Sequence, residues 1–174
     1  MQTNVIPEQL TGVSHYFSNN ELLGMGELTL PNIQFMTETI SGAGIAGEYD
    51  NPIPGLTQSL ESTYNFRDIT KQQMQLLRKK ALDLTSYANL QSYDAGTGEY
   101  HDSQIKVTAR AKVKSSNLGT FNTGNTGGVS VVVENIYLKI EIDGEKVLEI
   151  DKLNYIHFVD GVDWLAATRK NIGK

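Results

Sequence analysis

The chain has 174 residues, a formal net charge of −5 and no cysteine. This length fits one domain with a hydrophobic core, so we expect a single domain over residues 1–174. The acidic balance argues against a general nucleic-acid binder, and the lack of cysteine excludes disulfides, thiolate metal sites and cysteine nucleophiles. The N-terminal segment has neither the basic start nor the apolar run of a signal peptide, and no stretch approaches the roughly 18 apolar residues of a membrane helix. We therefore expect a soluble protein without a membrane anchor that is made in a cytoplasm.

Four strands are predicted in the first part of the chain, where β-forming residues alternate with turn residues. Residues 14–31 read as two strands joined by a turn near Asn19, and Pro31 ends the second strand. Residues 32–41 continue as a third strand. Residues 57–66 are rich in β-forming side chains and predict a fourth.

The stretch SGAGIAGEYDNPIPG, residues 41–55, contains the glycine spacing of a dinucleotide-binding turn. That fingerprint works only where a helix follows the glycines directly, because the N-terminus of the helix holds the pyrophosphate. Pro52 and Pro54 push the residues before them out of the α region, so no helix can begin here. We therefore predict a long, mobile loop over residues 41–57 and not a nucleotide site.

One flanking helix is predicted over residues 70–81. Thr70 and Gln73 have the spacing of a capping box, in which each side chain accepts a hydrogen bond from a backbone N–H group at the helix start. The apolar face of this helix would consist of Met74, Leu77 and Ala81. The cations at positions 78–80 would follow at its C-terminal end, which favours positive charge. We expect this helix to cover a sheet.

A hairpin is predicted from residues 82–94 and 103–115, which flank a turn that contains glycine. Apolar and polar residues alternate in its second strand, so one face of that strand belongs to the core. The other face is basic and carries Lys106, Arg110, Lys112 and Lys114. Such a face is either solvated or contacts a charged protein partner.

Residues 115–128 are rich in glycine and small polar side chains, which predicts a second exposed, mobile loop. In the strand 129–142 that follows, the apolar side chains change from odd to even positions near Glu134 and Asn135. This change indicates either a β-bulge or burial of both faces at one end of the strand.

An Asp143-Gly144 turn connects this strand to the next, residues 145–151. Two registers are possible for the pair, and the register with a three-residue loop keeps apolar side chains on one face. That register pairs Ile140 with Leu148 and Leu138 with Ile150. The strand is expected to continue beyond Leu153.

About eight strands with one flanking helix predict a mainly β fold, either a β-sandwich or a partly open β-barrel. A short C-terminal helix is expected around residues 164–169.

The polar residues give no indication of catalysis. The three histidines, at positions 15, 101 and 157, stand apart without metal-ligand spacing. Asp151, Asp160 and Asp163 flank a strand end and a turn, where aspartate side chains commonly accept hydrogen bonds from backbone N–H groups. No nucleophile, Walker loop or zinc-protease motif accompanies them. We expect no enzyme, no metal site and no cofactor.

The C-terminal segment 129–174 contains a strand that ends in a glycine turn, then a series of polar residues, and finally basic residues near the C-terminus. The residues concerned are Asp143-Gly144, Glu149-Ile150-Asp151, Asn154, Gly161-Val162-Asp163, Arg169 and Asn171-Ile172-Gly173, joined upstream by Leu30-Pro31 and Gly42-Ala43-Gly44. In these residues the chain resembles the major tail tube proteins of contractile-tailed bacteriophages and the tube proteins of R-type bacteriocins. The fold of that family is similar to that of the type VI secretion tube protein.

The resemblance implies a structural subunit that assembles into hexameric rings, stacked as a hollow tube that a contracting sheath drives through a bacterial envelope. It implies as partners other copies of the chain, the tail sheath protein, tape-measure and baseplate or initiator proteins, and, in a phage, the DNA that passes through the lumen. The implied location is the tail of a virion or phage-like particle, assembled in the bacterial cytoplasm. A genome-carrying phage and a headless bacteriocin both remain open.

Both predicted loops are expected to become ordered on contact with neighbouring subunits, because glycine permits close approach of two backbones. The residues expected there are Gly42, Gly44, Ile45, Gly47, Tyr49, Pro52, Pro54, Asn117, Phe121 and Asn125. The basic face is expected to meet the sheath or a neighbouring subunit and not the lumen, where it would bind DNA phosphate. The alternative interpretation is a monomeric β-sandwich module that binds a ligand through the same loops.

Overall fold

The computed structural model describes residues 4–124 and 126–174. The strands are β1 Val5–Phe17, β2 Leu22–Thr29, β3 Phe35–Ser41, β4 Glu48–Thr57, β5 Glu61–Phe66, β6 Leu82–Asp94, β7 Glu99–Asn117, β8 Val129–Ile142, β9 Glu145–Asp151, β10 Ile156–Val159 and β11 Val162–Asp163. The helices are α1 Lys71–Met74, which continues as a 3-10 helix over Gln75–Leu77, and α2 Ala166–Asn171.

Six strands form a closed ring in the order β8-β5-β2-β1-β6-β7, because β7 also pairs with β8. The strands β9, β10 and β11 extend this sheet from β8, and every pair in it is antiparallel. The ring is weakest between β1 and β2, where the pairing covers only Ser14 to Tyr16 on β1. The predicted mainly β fold is thus confirmed, and of the predicted β-sandwich and partly open β-barrel the structure has the barrel, whose ring is joined by only a short pairing between β1 and β2.

The described part of the chain contains three strands, β4, β10 and β11, beyond the eight that the sequence predicted. One of them, β10, arises because the strand expected to continue beyond Leu153 is interrupted by a turn at residues 152–155, and β11 follows a second turn at residues 160–161. The Asp151 carboxylate accepts hydrogen bonds from the backbone N–H groups of Leu153 and Asn154, at 3.0 and 2.9 Å. These bonds hold the turn and end the strand.

The core fills the interior of the ring and consists of side chains that alternate along the strands. Its larger cluster contains Leu23, Tyr64, Phe66, Leu76, Leu82, Leu84, Ala111, Val129, Val131 and Val133, and a smaller cluster contains Val107, Ala109 and Leu138. Each fully buried large apolar side chain contributes on the order of 1.5–3 kcal/mol through the hydrophobic effect. The predicted apolar face of β7 therefore lies in the core, as expected.

The change of parity in β8 is a β-bulge. Ala111 of β7 pairs with Asn135 and Arg110 pairs with Tyr137, so Ile136 is the extra residue. Buried side chains accordingly move from odd positions before the bulge to even positions after it. Asn135 is fully buried, and its side-chain amide donates hydrogen bonds to the Leu60 carbonyl at 3.0 Å and the Ser62 hydroxyl at 2.6 Å.

The pairing of β8 with β9 has the predicted register. Leu138 lies opposite Ile150 and Ile140 lies opposite Leu148. The predicted three-residue loop is wrong, because Ile142 pairs with Glu145 and the loop has only the two residues Asp143 and Gly144. A β-bulge at Val147 gives the predicted register instead, which keeps the apolar side chains together.

The flanking helix begins as predicted but ends earlier. Thr70 and Gln73 form the capping box in both directions. The chain becomes extended at Arg78, so the helical segment stops at Leu77 and the cations at positions 78–80 do not lie in a helix. Gln73 and Leu76 are the buried residues of this segment, whereas Leu77 and Ala81, which were predicted to face the sheet, are exposed. The chain must leave the helix here because β6 begins at Leu82.

His15 is buried inside the ring and makes the stability of the fold dependent on pH. Its Nδ1 atom lies 2.8 Å from the Ser86 hydroxyl, and its ring packs edge-on against Tyr64 and Phe66. Burial lowers the pKa of His15 from 6.5 to about 4. The unfolded chain therefore binds the proton more tightly, so this contribution to stability is complete above pH 6.5 and is lost as the pH falls towards 4.

We expect the free energy of unfolding to fall by up to about 3 kcal/mol between pH 7 and pH 4 through His15. Urea unfolding at both pH values, compared with that of His15→Gln, isolates this contribution because glutamine does not titrate. Burial also lowers the pKa of His157, but that residue is present in both proteins and its effect cancels. An equal loss of stability in both proteins would contradict the expectation.

Candidate assembly surface

The β3–β4 hairpin is a two-stranded sheet separate from the ring. It corrects the prediction of a loop over residues 41–57, since the turn is confined to positions 42–47 and β4 occupies the remainder. Pro52 and Pro54, which in sequence favour a loop, both lie within β4. Residues two apart in a strand direct their N–H groups to the same edge, so both missing donors can lie on the edge that β3 does not pair.

The turn of the hairpin contains the predicted glycines and exposed apolar side chains. Gly42, Gly44 and Gly47 have φ angles of 139°, 94° and 120°, which only glycine adopts easily. Ile45 and Tyr49 are 38% and 50% exposed. Every residue from 41 to 50 is exposed, so the tip of the hairpin offers both backbone and apolar surface to another molecule.

Aromatic side chains fix the base of the hairpin to the C-terminal part of the chain. The Phe35 ring, at the start of β3, lies 5.6 Å from the His157 ring and 5.8 Å from the Trp164 ring. The rings of His157 and Trp164 stack on each other at 4.9 Å. On β4, a Cβ atom at Gly55 would come within 2.8 Å of the Leu165 side chain, which shows how closely the two segments approach.

Sequence reasoning missed this anchor. The sequence places Phe35 and His157 far apart along the chain, so alternation and turn signals do not predict their contact. The available signal was the Trp164 side chain, the only tryptophan of the chain, directly after the Gly161-Val162-Asp163 motif.

The C-terminal motif residues form a compact cluster of hydrogen bonds beside that anchor. Arg169 donates to the Tyr155 carbonyl and to the Asp163 carboxylate, both at 2.8 Å. Asp163 also accepts hydrogen bonds from the backbone N–H groups of Leu165 and His157. Burial alone would raise the pKa of Asp163, but these donors outweigh it and lower the pKa. The prediction that these aspartates serve backbone N–H groups is confirmed for Asp151 and Asp163.

The second predicted loop is shorter than expected, because β7 continues to Asn117. The Asn117 side chain accepts a hydrogen bond from the Gly119 N–H group at 3.0 Å, and Thr120 donates to the Gly127 carbonyl at 3.1 Å. Phe121 is 80% exposed. Asn125 lies outside the described residues. The loop therefore presents a large aromatic side chain from a segment that folds back on itself.

The basic face of β7 is mostly neutralised by acidic neighbours. Arg110 pairs with Asp83 at 2.6 Å, Lys106 pairs with Glu141 at 3.4 Å, and Lys114 pairs with Glu61. Lys112 is exposed and forms no ion pair with the described residues. The prediction of a strongly basic face is thus wrong, because the neighbouring strands supply carboxylates that pair with most of its cations.

Within residues 4–124 and 126–174, no group of three or more metal-ligating side chains is close enough to hold a metal ion. No helix in the described part of the chain is long and apolar enough to cross a membrane. The polar side chains described above support turns, anchors and ion pairs.

The described chain is thus a partly open β-barrel with an exposed hairpin tip and exposed apolar side chains in its loops. Comparison with known proteins gives the family. Residues 7–173 match the family model of the phage tail tube protein FII. The chain belongs to this family, and it is a tail tube protein of a contractile injection system, phage or phage-like.

Individual relatives agree with this assignment. The chain is 27% identical over 173 residues to the tail tube protein of Escherichia phage P2, covering 97% of this chain and 98% of that protein. It is 23% identical over 157 residues to the major tail tube protein of Serratia phage KSP20, covering 90% of each. The fold is similar to that of a sheath/tube terminator of an extracellular contractile injection system, with a TM-score of 0.52 and 12% identity over 78% of this chain and 96% of that chain.

Proposed function

We propose that the chain is the non-enzymatic subunit of the inner tube, and that it assembles into stacked hexameric rings that form a hollow conduit. The observation that carries the proposal is the family match over residues 7–173. The exposed hairpin tip supports it, because an assembling subunit must offer surface that becomes buried in its neighbours. The predicted contact residues of the hairpin and Phe121 are the contacts that we assign to neighbouring subunits.

The proposed mechanism is mechanical. A surrounding sheath contracts and drives the tube through a bacterial envelope, while tape-measure and baseplate proteins set its length and starting point. The basic strand β7 faces the sheath or a neighbouring subunit and not the lumen. Because Arg110, Lys106 and Lys114 are already paired with carboxylates, this contact rests on shape and hydrogen bonding more than on net positive charge.

The lumen passes DNA in a phage, and the net charge of −5 limits ion pairing with phosphate. The particle is assembled in the bacterial cytoplasm. Single-domain organisation over residues 1–174 belongs to the same proposal, since one subunit contributes one unit of the ring.

Negative-stain electron microscopy of the purified protein over a range of concentrations tests the proposal. We expect rings or hollow rods with a stain-filled channel, in increasing number as the concentration rises. A protein that remains a monomer at every concentration, also in the presence of an initiator complex, would contradict the proposed assembly and favour a monomeric binding module.

A further inference from the structure

The charges of this protein are distributed unevenly along the chain. No lysine or arginine precedes Arg67, so the whole β3–β4 hairpin lacks positive charge. It carries three carboxylates, at Glu38, Glu48 and Asp50. None of the three forms an ion pair with any residue in the described part of the chain. The hairpin is therefore an acidic, exposed arm whose charge is not compensated within its own subunit.

The register of the hairpin separates these carboxylates into two faces. Glu48 lies opposite Ser41 and Asp50 lies opposite Thr39, so both share the face of the odd-numbered residues of β3. Glu38 lies opposite Asn51 on the other face. The Asp50 carboxylate accepts a hydrogen bond from the Thr39 hydroxyl at 2.7 Å, which holds it on the first face.

A second surface carries positive charge that is not compensated within its own subunit. Arg78, Lys79 and Lys80 follow the helical segment, are all exposed, and form no ion pair with the described residues. Because the helix ends at Leu77, they do not complement a helix C-terminus either. We call these residues, together with Lys112, the basic corner.

Lys112 belongs to this corner because of strand pairing. Leu82, the first residue of β6, lies opposite Ala111 of β7, which places Lys112 beside the segment that leads into β6. The nearest carboxylates are already engaged. Asp83 pairs with Arg110, and Glu134, opposite Lys112, is bound by Lys152 at 3.0 Å. Glu21 accepts hydrogen bonds from side-chain amides and lies in the same cleft as Arg78 and Lys80.

We infer that the Glu48 and Asp50 face of the hairpin docks on the basic corner of a second copy of this chain. The inference rests on the proposed function for the assumption that copies of the chain assemble, and it names the surfaces that meet. In the rings and tube of the proposed function each copy offers its hairpin to one neighbour and its basic corner to another, so the contact is heterologous and continues from subunit to subunit.

Charge reversal tests the pairing through the critical concentration for assembly, measured by sedimentation. Each exposed ion pair is weak, but reversal replaces attraction by repulsion at every contact of the polymer. We expect Glu48→Lys or Lys79→Glu with Lys80→Glu to raise the critical concentration by about tenfold or more, and their combination to restore most of it. Glu38→Lys is the matched control, since it reverses an equal charge on the opposite face and should leave the critical concentration within about twofold.

Disulfide trapping tests the same contact without requiring stable tubes, because the chain has no cysteine of its own. A protein with Glu48→Cys and Lys79→Cys should give a ladder of disulfide-linked oligomers on oxidation, since a bridge forms only where Cα atoms come within about 7 Å. The pair Glu38→Cys and Lys79→Cys should give at most dimers.

The outcomes separate this inference from the proposed function. Wild-type tubes together with equal effects of Glu48→Lys and Glu38→Lys, or without rescue by the combined charge reversal, would overturn the pairing and leave tube formation intact. A ladder from the Glu48 pair supports the pairing even where wild-type tubes do not form, whereas rescue by the combined charge reversal supports both.

Discussion

A protein with a shortened β3–β4 hairpin is expected to remain folded and to lose all polymer formation. The variant replaces residues 39–50 by Asn-Gly, which joins Glu38 to its direct partner Asn51 through a two-residue hairpin turn. The change removes the exposed tip, including Ile45 and Tyr49, but keeps the base of the hairpin on its aromatic anchor. Sedimentation and electron microscopy should detect no polymer at about ten times the wild-type critical concentration, which corresponds to a loss of at least about 1.4 kcal/mol per subunit contact.

The control for this variant is its thermal unfolding. The hairpin forms a sheet of its own, so its removal leaves the pairing of the ring strands and the two core clusters unchanged. We expect a melting temperature close to that of the wild-type protein. Tubes of normal appearance from the shortened protein would show that the hairpin tip is not an assembly contact.

The substitution Gly26→Ala is expected to have the largest effect on stability. Gly26 of β2 lies opposite Phe66 of β5, and a Cβ atom there would lie 2.0 Å from the Asn65 carbonyl oxygen. A backbone carbonyl cannot move aside without separating the two strands, and the pairing of β2 with β5 is part of the ring. We expect a loss of about 3–5 kcal/mol in the free energy of unfolding, measured by urea denaturation, because overpacking against backbone forces the pair apart.

Gly12→Ala is the matched control. Gly12 lies in β1, and no atom lies within 4 Å of the position that its Cβ would take. We expect a change of less than about 1 kcal/mol there, since the substitution mainly reduces the freedom of the unfolded chain. Equal effects at both glycines would mean that the approach of β2 and β5 does not limit the fold.

Position 24 illustrates why such constraints are absent from the sequence pattern. Gly24 and Gly26 read as ordinary members of a strand between apolar residues. In the structure, Gly24 packs against the side chains of Gln73 and Phe66, with φ of 152°. Both requirements come from residues far along the chain, which local periodicity does not report.

For the charged residues, too, the sequence predicts where the cations lie but not which carboxylates pair with them. The alternation of β7 placed its cations on one face, which the structure confirms for Arg110 and Lys112. The carboxylates that neutralise them lie on three other strands, at Asp83, Glu61 and Glu141. Only strand order brings these residues together, so the sequence could not distinguish a paired face from a free basic surface.

The sequence by itself determined those features that depend on neighbours along the chain. They are the predominance of strands, the Thr70 capping box, the change of parity in β8, the pairing of Leu138 with Ile150 and the family resemblance of the C-terminal motif. Each follows from alternation, turn chemistry or motif spacing, which act over a few residues.

The tertiary structure decided what depends on segments that are distant in sequence. The hairpin could not be distinguished from a loop, because its two prolines are compatible with a strand only where one edge is free. Its anchor joins Phe35 to Trp164 across most of the chain, and the helix ends early because β6 must pair with β7. Local sequence leaves the alternative conformations of these segments about equal in energy. The packing of the whole ring stabilises one of them, so only the tertiary structure determines which contacts form.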